Sequence, residues 1–544
     1  MGPGVRRLDA SNAPRRISRT ARTVRRTFLQ GVVPFQSESP AGEKNYASRD
    51  SLFLLACILT VAAALDLLFL GARSLWLDET VRIALARLDW KALGQAVSLH
   101  EANMALYYGL LHVWLGLGDS EFVIRSLSAL MATGAVGAIY LLGHRMFGPR
   151  VGLLGALLLA LNAYHIRYAQ EASSYSLVTL LVILASLAFV HAIERPTSRN
   201  WTLYTLMSVL AVYAHFFAVL VLAAHWLSLA LLDRRRVSWK RLTASVAIIS
   251  MLLAPLGFFA ATRDTGQVSW IPKPNLYAVF NLFYQLTGAD PAGFFDLTGY
   301  DPAEGTPLLA VYVVACIVAL VAAVKQFTRE PFSLRAWRLF FLLTWFSVPI
   351  ALALGVSTVK PIFVPYYLIV CMPPLVLLAS AGVSGIPGRP AMILAAVIVI
   401  ATAAYEDISY YRNLDGEDWK GAIAHVLSQS RSGDALVFDP SYLQTPYDYY
   451  HARLSMASGP PIASPHWSWS QIARGEPVES HPSDESLKDL PPHYSRIWLI
   501  SRYEPVSPGV LAFLANSYQD KKNWKFHGVR VALYSAAPPE LQRR

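Results

Sequence analysis

Long apolar runs alternate with short polar segments along most of this chain. The first run, SLFLLACILTVAAALDLLFLGA from position 51, is long enough to cross a bilayer, which needs about 20 mostly apolar residues. Further runs of that character lie near 122 to 143, 151 to 166, 174 to 193, 201 to 214, 216 to 232, 242 to 261, 307 to 324, 338 to 356, 365 to 383 and 390 to 405. The pattern predicts an α-helical polytopic membrane protein with about 11 transmembrane helices.

One more apolar segment, MALYYGLLHVWLGLG at 104 to 118, is only about four turns long and decides the sidedness. If it lies in the interface, the basic segments HRMFGPR, ERPTSR, DRRRVSWKR, KQFTREPFSLRAWR and GIPGR share a side with the basic N-terminal arm. If it spans, all of them face away from that arm. The cytoplasmic bias of Arg and Lys favours the interfacial reading and a cytoplasmic N-terminus in the cell (plasma or inner) membrane. Trp114, Tyr107 and Tyr108 then suit the headgroup level, and Asn103 suits an N-cap.

On that topology residues 71–121 form one extracytoplasmic loop, carrying Asp78, Glu79, His100 and Glu101. NAYHIRYAQEASSY (162 to 175), the long segment 263 to 305 and STVKPIFVPYY (357 to 367) share its face. After position 405 the pattern changes. EDWKGAIAHVLSQSRSGDALVFDP reads as helix, turn and buried strand, while SRIWLIS and VRVALYS read as further strands. The expected organisation is a disordered basic cytoplasmic arm (1–50), a transmembrane module (51–405) and a small extracytoplasmic α/β domain (406–544).

Composition sharpens this. With 54% hydrophobic and 15% charged residues, a soluble globular protein is excluded. The net charge of +11 sits in the arm and between apolar runs, so it reports topology and calls for no nucleic-acid partner. Cys57, Cys316 and Cys371 lie inside apolar runs and predict neither a disulfide nor a metal site. A transit peptide fits the first 50 residues less well than a solvated arm, because a spanning run follows directly. The runs carry almost no charge besides Asp66, which speaks against an ion-coupled carrier.

The candidate chemistry gathers on the outer face. Asp78 and Glu79 either stabilise the start of a helix in ETVRIALARL or form a reactive acid pair at the membrane rim. His100 and Glu101 are acceptable ligands for a divalent metal ion, although two adjacent residues define no site. Arg167 and Glu171 stand four apart and either pair with each other or face a ligand together with Gln170. Arg125 and Lys360 either snorkel or hold a phosphate. His215 and His225 read as satisfied within the bundle.

SLWLDE, HEANMALYYGLLHVWL, SEFVIRSLSAL, NAYHIRYAQEASSY and KPIFVPYYLIVCMPPLVLLA occur in this order over residues 51 to 385. They resemble the bacterial relatives of dolichyl-phosphate-mannose protein mannosyltransferases, glycosyltransferase family 39 of the GT-C superfamily. The resemblance implies a GT-C fold and a hexosyl or pentosyl transferase that takes its sugar from a polyprenyl phosphate. Its acceptor would be a glycolipid, polysaccharide or protein at the lipid bilayer.

Carried over, Asp78 is the catalytic base with Glu79 beside it. His100, Glu101, Gln170 and Glu171 shape the acceptor or metal site, Glu101 and Glu171 being the metal candidates. Arg125, Arg167, Lys360 and Tyr367 hold the donor phosphate. Two departures weaken the donor set: Ser173 stands where relatives often have Arg, and PYY from Pro365 replaces a frequent RY. The competing reading is a noncatalytic protein that binds or translocates lipid-linked glycans.

Overall fold

The computed structural model describes residues 49–262, 270–289, 302–413, 416–454, 459–463, 465–488, 490–502 and 505–536. The basic arm up to position 48, and residues 263–269 and 290–301 of the long segment, lie outside them. The first helix, α1, is Arg49–Leu67. Three short helices follow, α2 (Leu77–Ala86), α3 (Trp90–Leu99) and α4 (Ala105–Trp114). The bundle continues with α5 (Glu121–Phe147), α6 (Pro149–Ala160), α7 (Ala163–Ala169), α8 (Tyr175–Glu194), α9 (Ser198–Ala214), α10 (Ala218–Ser228) and α11 (Trp239–Thr262). It ends with α12 (Leu276–Thr287), α13 (Pro302–Arg329), α14 (Leu334–Ser357), α15 (Met372–Ser384) and α16 (Arg389–Arg412).

Every apolar run predicted above falls on helix, but not every one is of spanning length. Among the described residues eight helices are long and apolar enough to cross a membrane, or up to nine if the bent pair α6 and α7, broken by 62°, is one span. The chain is a multi-pass membrane protein. The difference from eleven has local causes: α9 has 17 residues, Ala218–Leu231 is a shorter apolar helix, and α6 stops before Asn162. Asn162 caps α7 by accepting from the His165 N–H at 2.9 Å.

The hairpin of α5 and α6 turns at Gly148, whose φ is +94°. Beyond it, a Cβ on Gly152 would lie 2.8 Å from the Tyr140 carbonyl oxygen, so only glycine permits this approach. That packing fixes where α7 and the segment after it emerge. At ten residues, α4 is about 15 Å long, half the hydrocarbon thickness. Tyr107 and Tyr108, expected at the headgroup level, are buried within the protein. Asn103 is no cap either; its side chain accepts from the Phe216 N–H at 3.0 Å.

Helix α16 runs seven residues past the boundary read at 405, to Arg412. After it come α17 (Trp419–Gln429), β1 (Asp434–Asp439), α18 (Gln444–Leu454) and α19 (Trp469–Ala473). β2 (Arg496–Arg502), α20 (Pro508–Ser517), β3 (Asp520–Phe526) and β4 (Val529–Ser535) complete the domain. The four-stranded sheet has the order β1-β2-β4-β3; β1 and β2 are parallel and the other pairs antiparallel. Its first strand is buried throughout, with α17 and α18 joined in the same core.

Candidate active site

The segment after α1 is built around one buried ion pair. The Arg125 side chain, near the start of α5, grips Glu79 with two donors: Nε to Oε1 at 2.8 Å and Nη2 to Oε2 at 2.6 Å. Its remaining hydrogens go to the carbonyls of Leu70 and Arg73 at 3.0 Å and of Ser74 at 2.9 Å. Glu79 also accepts from the N–H groups of Ala172 at 2.8 Å and Trp76 at 3.2 Å. Burial alone would raise the Glu79 pKa, but the Arg125 charge and these hydrogen bonds outweigh it and hold the carboxyl below its ordinary value. Glu79 and Arg125 therefore fasten the start of α2 to α5 and to the segment after α7.

Asp78, one residue earlier, is left 48% exposed in its side chain, against 0% for Glu79. One turn along α2, Arg82 approaches it, with Nη2 3.6 Å from Asp78 Oδ2. Arg82 is buried, stands 3.5 Å from Glu171 Oε1, and donates to the Ala172 carbonyl at 3.2 Å. Glu171 lies beyond the end of α7 at Ala169, where Arg82 makes the close contact and Arg167 acts on it through its charge. Burial pushes the Glu171 carboxyl up to about 7, with Arg82 opposing. Burial likewise pushes Glu101 up to about 7, opposed by a hydrogen bond from the Tyr108 hydroxyl at 3.3 Å.

Facing this cluster is an aromatic wall. Tyr175 contacts Tyr168, His215 and Tyr366, with ring centroids 4.6, 5.7 and 5.7 Å away. Tyr367 lies 5.2 Å from both His215 and Phe217. Asp78 is thus an accessible carboxylate bounded by a buried guanidinium, two acids of raised pKa and a set of phenols. Lys360 is half-buried in the turn that leads to Tyr366, and the Arg167 guanidinium lies 5.9 Å from the Tyr168 ring.

Three predicted site residues are placed differently from what their types suggested. Gln170 is a cross-brace: its Oε1 accepts from Arg73 at 3.1 Å and from the Tyr410 hydroxyl at 3.0 Å. Its Nε2 donates to the carbonyls of Leu65 and Leu68. Both ends of the amide are consumed inside the protein. His100 turns to the C-terminal domain, with Nε2 3.0 Å from the Ile472 carbonyl oxygen. Arg125, as described, has all its hydrogens engaged, so a phosphate would find none free.

Among the described residues no group of three His, Cys, Asp or Glu side chains gathers as metal ligands. Glu171 has a guanidinium beside it, which disfavours a second cation there. The sequence reading missed Arg82, although its i, i+4 spacing from Asp78 was a usable signal.

It also missed the brace from the α/β domain. Glu417 accepts from the Leu77 N–H at 3.1 Å and from the Trp419 indole at 2.7 Å, and it pairs with Arg502. The Tyr450 hydroxyl accepts from the Leu75 N–H at 2.6 Å. Ser74 Oγ accepts from the Lys420 N–H at 2.8 Å. Three anchor points, at Ser74, Leu75 and Leu77, thus hold the segment entering α2, immediately before Asp78.

The family model of dolichyl-phosphate-mannose-protein mannosyltransferases matches residues 104–258. The fold is similar to that of ArnT from Cupriavidus metallidurans bound to undecaprenyl phosphate, at a TM-score of 0.56 and 13% identity, covering 90% of this chain and 99% of that one. The apo form of the same protein matches at 0.57 and 14%, covering 90% and 100%. The archaeal oligosaccharyltransferase AglB from Archaeoglobus fulgidus, in complex with an inhibitory peptide and a dolichol-phosphate, matches at 0.52 and 11%, covering 90% and 74%. No curated protein sequence matches the chain. At these identities the likeness to the solved structures is one of fold.

Proposed function

Taking the chain as a mannosyltransferase-like membrane protein of GT-C fold, we propose that it moves a sugar from a polyprenyl-phosphate carrier to an acceptor hydroxyl. The transfer takes place at the extracytoplasmic face of the cell membrane, with the N-terminus in the cytoplasm and the α/β domain outside. The observation that carries this reading is the contrast between two adjacent acids: Glu79 is locked by Arg125, while Asp78 stands accessible on the first turn of α2. A fold similar to that of a protein bound to undecaprenyl phosphate supports the donor class.

The chemistry needs one base. As the acceptor oxygen bonds to the anomeric carbon, its proton passes to Asp78, and the bond from that carbon to the phosphate oxygen breaks. The leaving phosphate departs as an anion, so it needs cations and no general acid. Lys360, Arg167 and Tyr367 serve this purpose, whereas Arg125 is withdrawn from the donor set because its donors are spent. Glu79 acts as a positioning residue. Arg82, one turn along the helix and 3.6 Å away, fixes the direction of the Asp78 carboxylate.

The test is a deletion strain complemented with wild type or with Asp78→Asn, at matched expression. Envelope sugars and polyprenyl-phosphate sugars are read by mass spectrometry. Loss of one envelope sugar with accumulation of its lipid-linked form, in both the deletion and the Asn variant, is the expected result. A wild-type profile from Asp78→Asn removes Asp78 from the role of base and favours the noncatalytic binding or translocating protein.

A further inference from the structure

The α/β domain carries a mixed aromatic and polar face that the transfer site does not use. Tyr442 and Trp467 have ring centroids 5.9 Å apart at 74°, and Trp467 and Trp469 are 5.7 Å apart at 82°. All three rings are half-buried. Beside them Gln444 donates to Asp448 at 3.0 Å and accepts from the Trp467 N–H at 2.9 Å, with the His466 ring 3.4 Å from its amide. Asp448 and His466 are exposed. The Trp469 indole donates to Thr445 Oγ1 at 3.3 Å. The Trp467 indole N–H is buried without an acceptor among the described residues.

This face joins the outer loop directly. Trp469 opens α19 and packs against the cluster of Leu85, Leu93 and Tyr108. Tyr108 in turn reaches Glu101, one residue from His100, which meets the Ile472 carbonyl. The aromatic face is therefore coupled to the residues around Asp78 through a chain of buried contacts.

The composition of the face selects a ligand class. Half-buried ring planes beside the exposed Asp448 carboxylate and His466 imidazole suit a molecule with flat C–H faces and a rim of hydroxyls. No lysine or arginine belongs to the group, and Arg474 at the end of α19 is engaged by Glu476 at 2.5 Å. A phosphate would meet the Asp448 carboxylate without a cation, and a lipid tail would leave exposed polar groups unpaired. We infer that this face binds a neutral saccharide, the glycan part of the acceptor, and presents its hydroxyl toward Asp78. The inference rests on the transferase reading for its direction but not for its ligand.

The test uses the full chain in lipid nanodiscs. The probe is the water-soluble saccharide fraction released by mild acid from the envelope of the deletion strain, and binding is read by microscale thermophoresis. Wild type and Asp78→Asn are expected to bind it alike, while Trp467→Ala and Asp448→Ala weaken binding at least tenfold. Asp448 is exposed, so its variant tests the face with little risk to folding. Absence of binding to wild type, undiminished binding in both variants, or binding only of the peptide fraction from the same envelope overturns the inference. Binding by wild type in a strain where no sugar transfer is found sinks the transferase reading and leaves the saccharide face standing.

Discussion

Replacing Arg125 by Ala removes the partner of a carboxylate that has no contact with solvent. Breaking a buried ion pair from one side costs about 3–5 kcal/mol. The carbonyls of Leu70, Arg73 and Ser74 lose their donor as well, each worth about 1 kcal/mol. The expected loss is on the order of 6 kcal/mol, a large part of the roughly 5–15 kcal/mol that holds a domain together. The damage should concentrate in the segment 70 to 82. Thermal unfolding in micelles and proteolytic nicking of loop 71–121 measure both the size and the place of the effect. Arg125→Lys, which keeps the charge but not the two-pronged grip, should lose less. The double replacement Glu79→Leu with Arg125→Met should recover part of the stability, because no charge is left stranded. If Arg125→Ala costs no more than about 1 kcal/mol, as an exposed pair would, the argument that this pair fixes Asp78 is refuted.

Other expectations follow from the same geometry. Glu101 and Glu171 rise from 4.5 to about 7 on folding, so the folded state keeps protons that the unfolded chain gives up in that window. Stability should therefore fall as pH rises from about 4.5 to 7, and Glu101→Gln should flatten the slope of Tm against pH. Tyr450→Phe leaves the buried Leu75 N–H without its acceptor, an expected loss of about 1–3 kcal/mol with faster cleavage ahead of α2. Lys360→Ala should raise the donor KM about tenfold, as loss of one charge-assisted contact to phosphate implies; an unchanged KM takes Lys360 out of the donor site.

The helices of the bundle were legible because each buries a continuous apolar run, and length alone misjudged only the short ones. α9 and α10 look like spans in sequence, since residue type does not reveal where a helix stops. In the domain, the strands at Asp434, Arg496 and Val529 were readable from alternation and turn residues, while their order in the sheet was not. The site divides in the same way. Asp78 stands out by its position after the first run. That Glu79 is locked and Asp78 is not depends on Arg125, Ala172 and Leu70, which converge from three separate stretches of chain. Gln170 illustrates the limit: a polar residue beside a candidate acid reads as a ligand, yet its amide is spent on Arg73, Tyr410 and two carbonyls.

The brace on the strand before Asp78 also sets a timetable. Tyr450 and Leu75 are 375 residues apart, and Glu417 and Leu77 are 340 apart. At a synthesis rate of about 5–20 residues per second, Leu75 waits roughly 20–75 s for its partner to leave the ribosome. Throughout that interval the segment before Asp78 lacks its fasteners, and a chain cut short before Glu417 never receives them. A stretch made several hundred residues later, Glu417 to Tyr450, thereby completes the segment before Asp78.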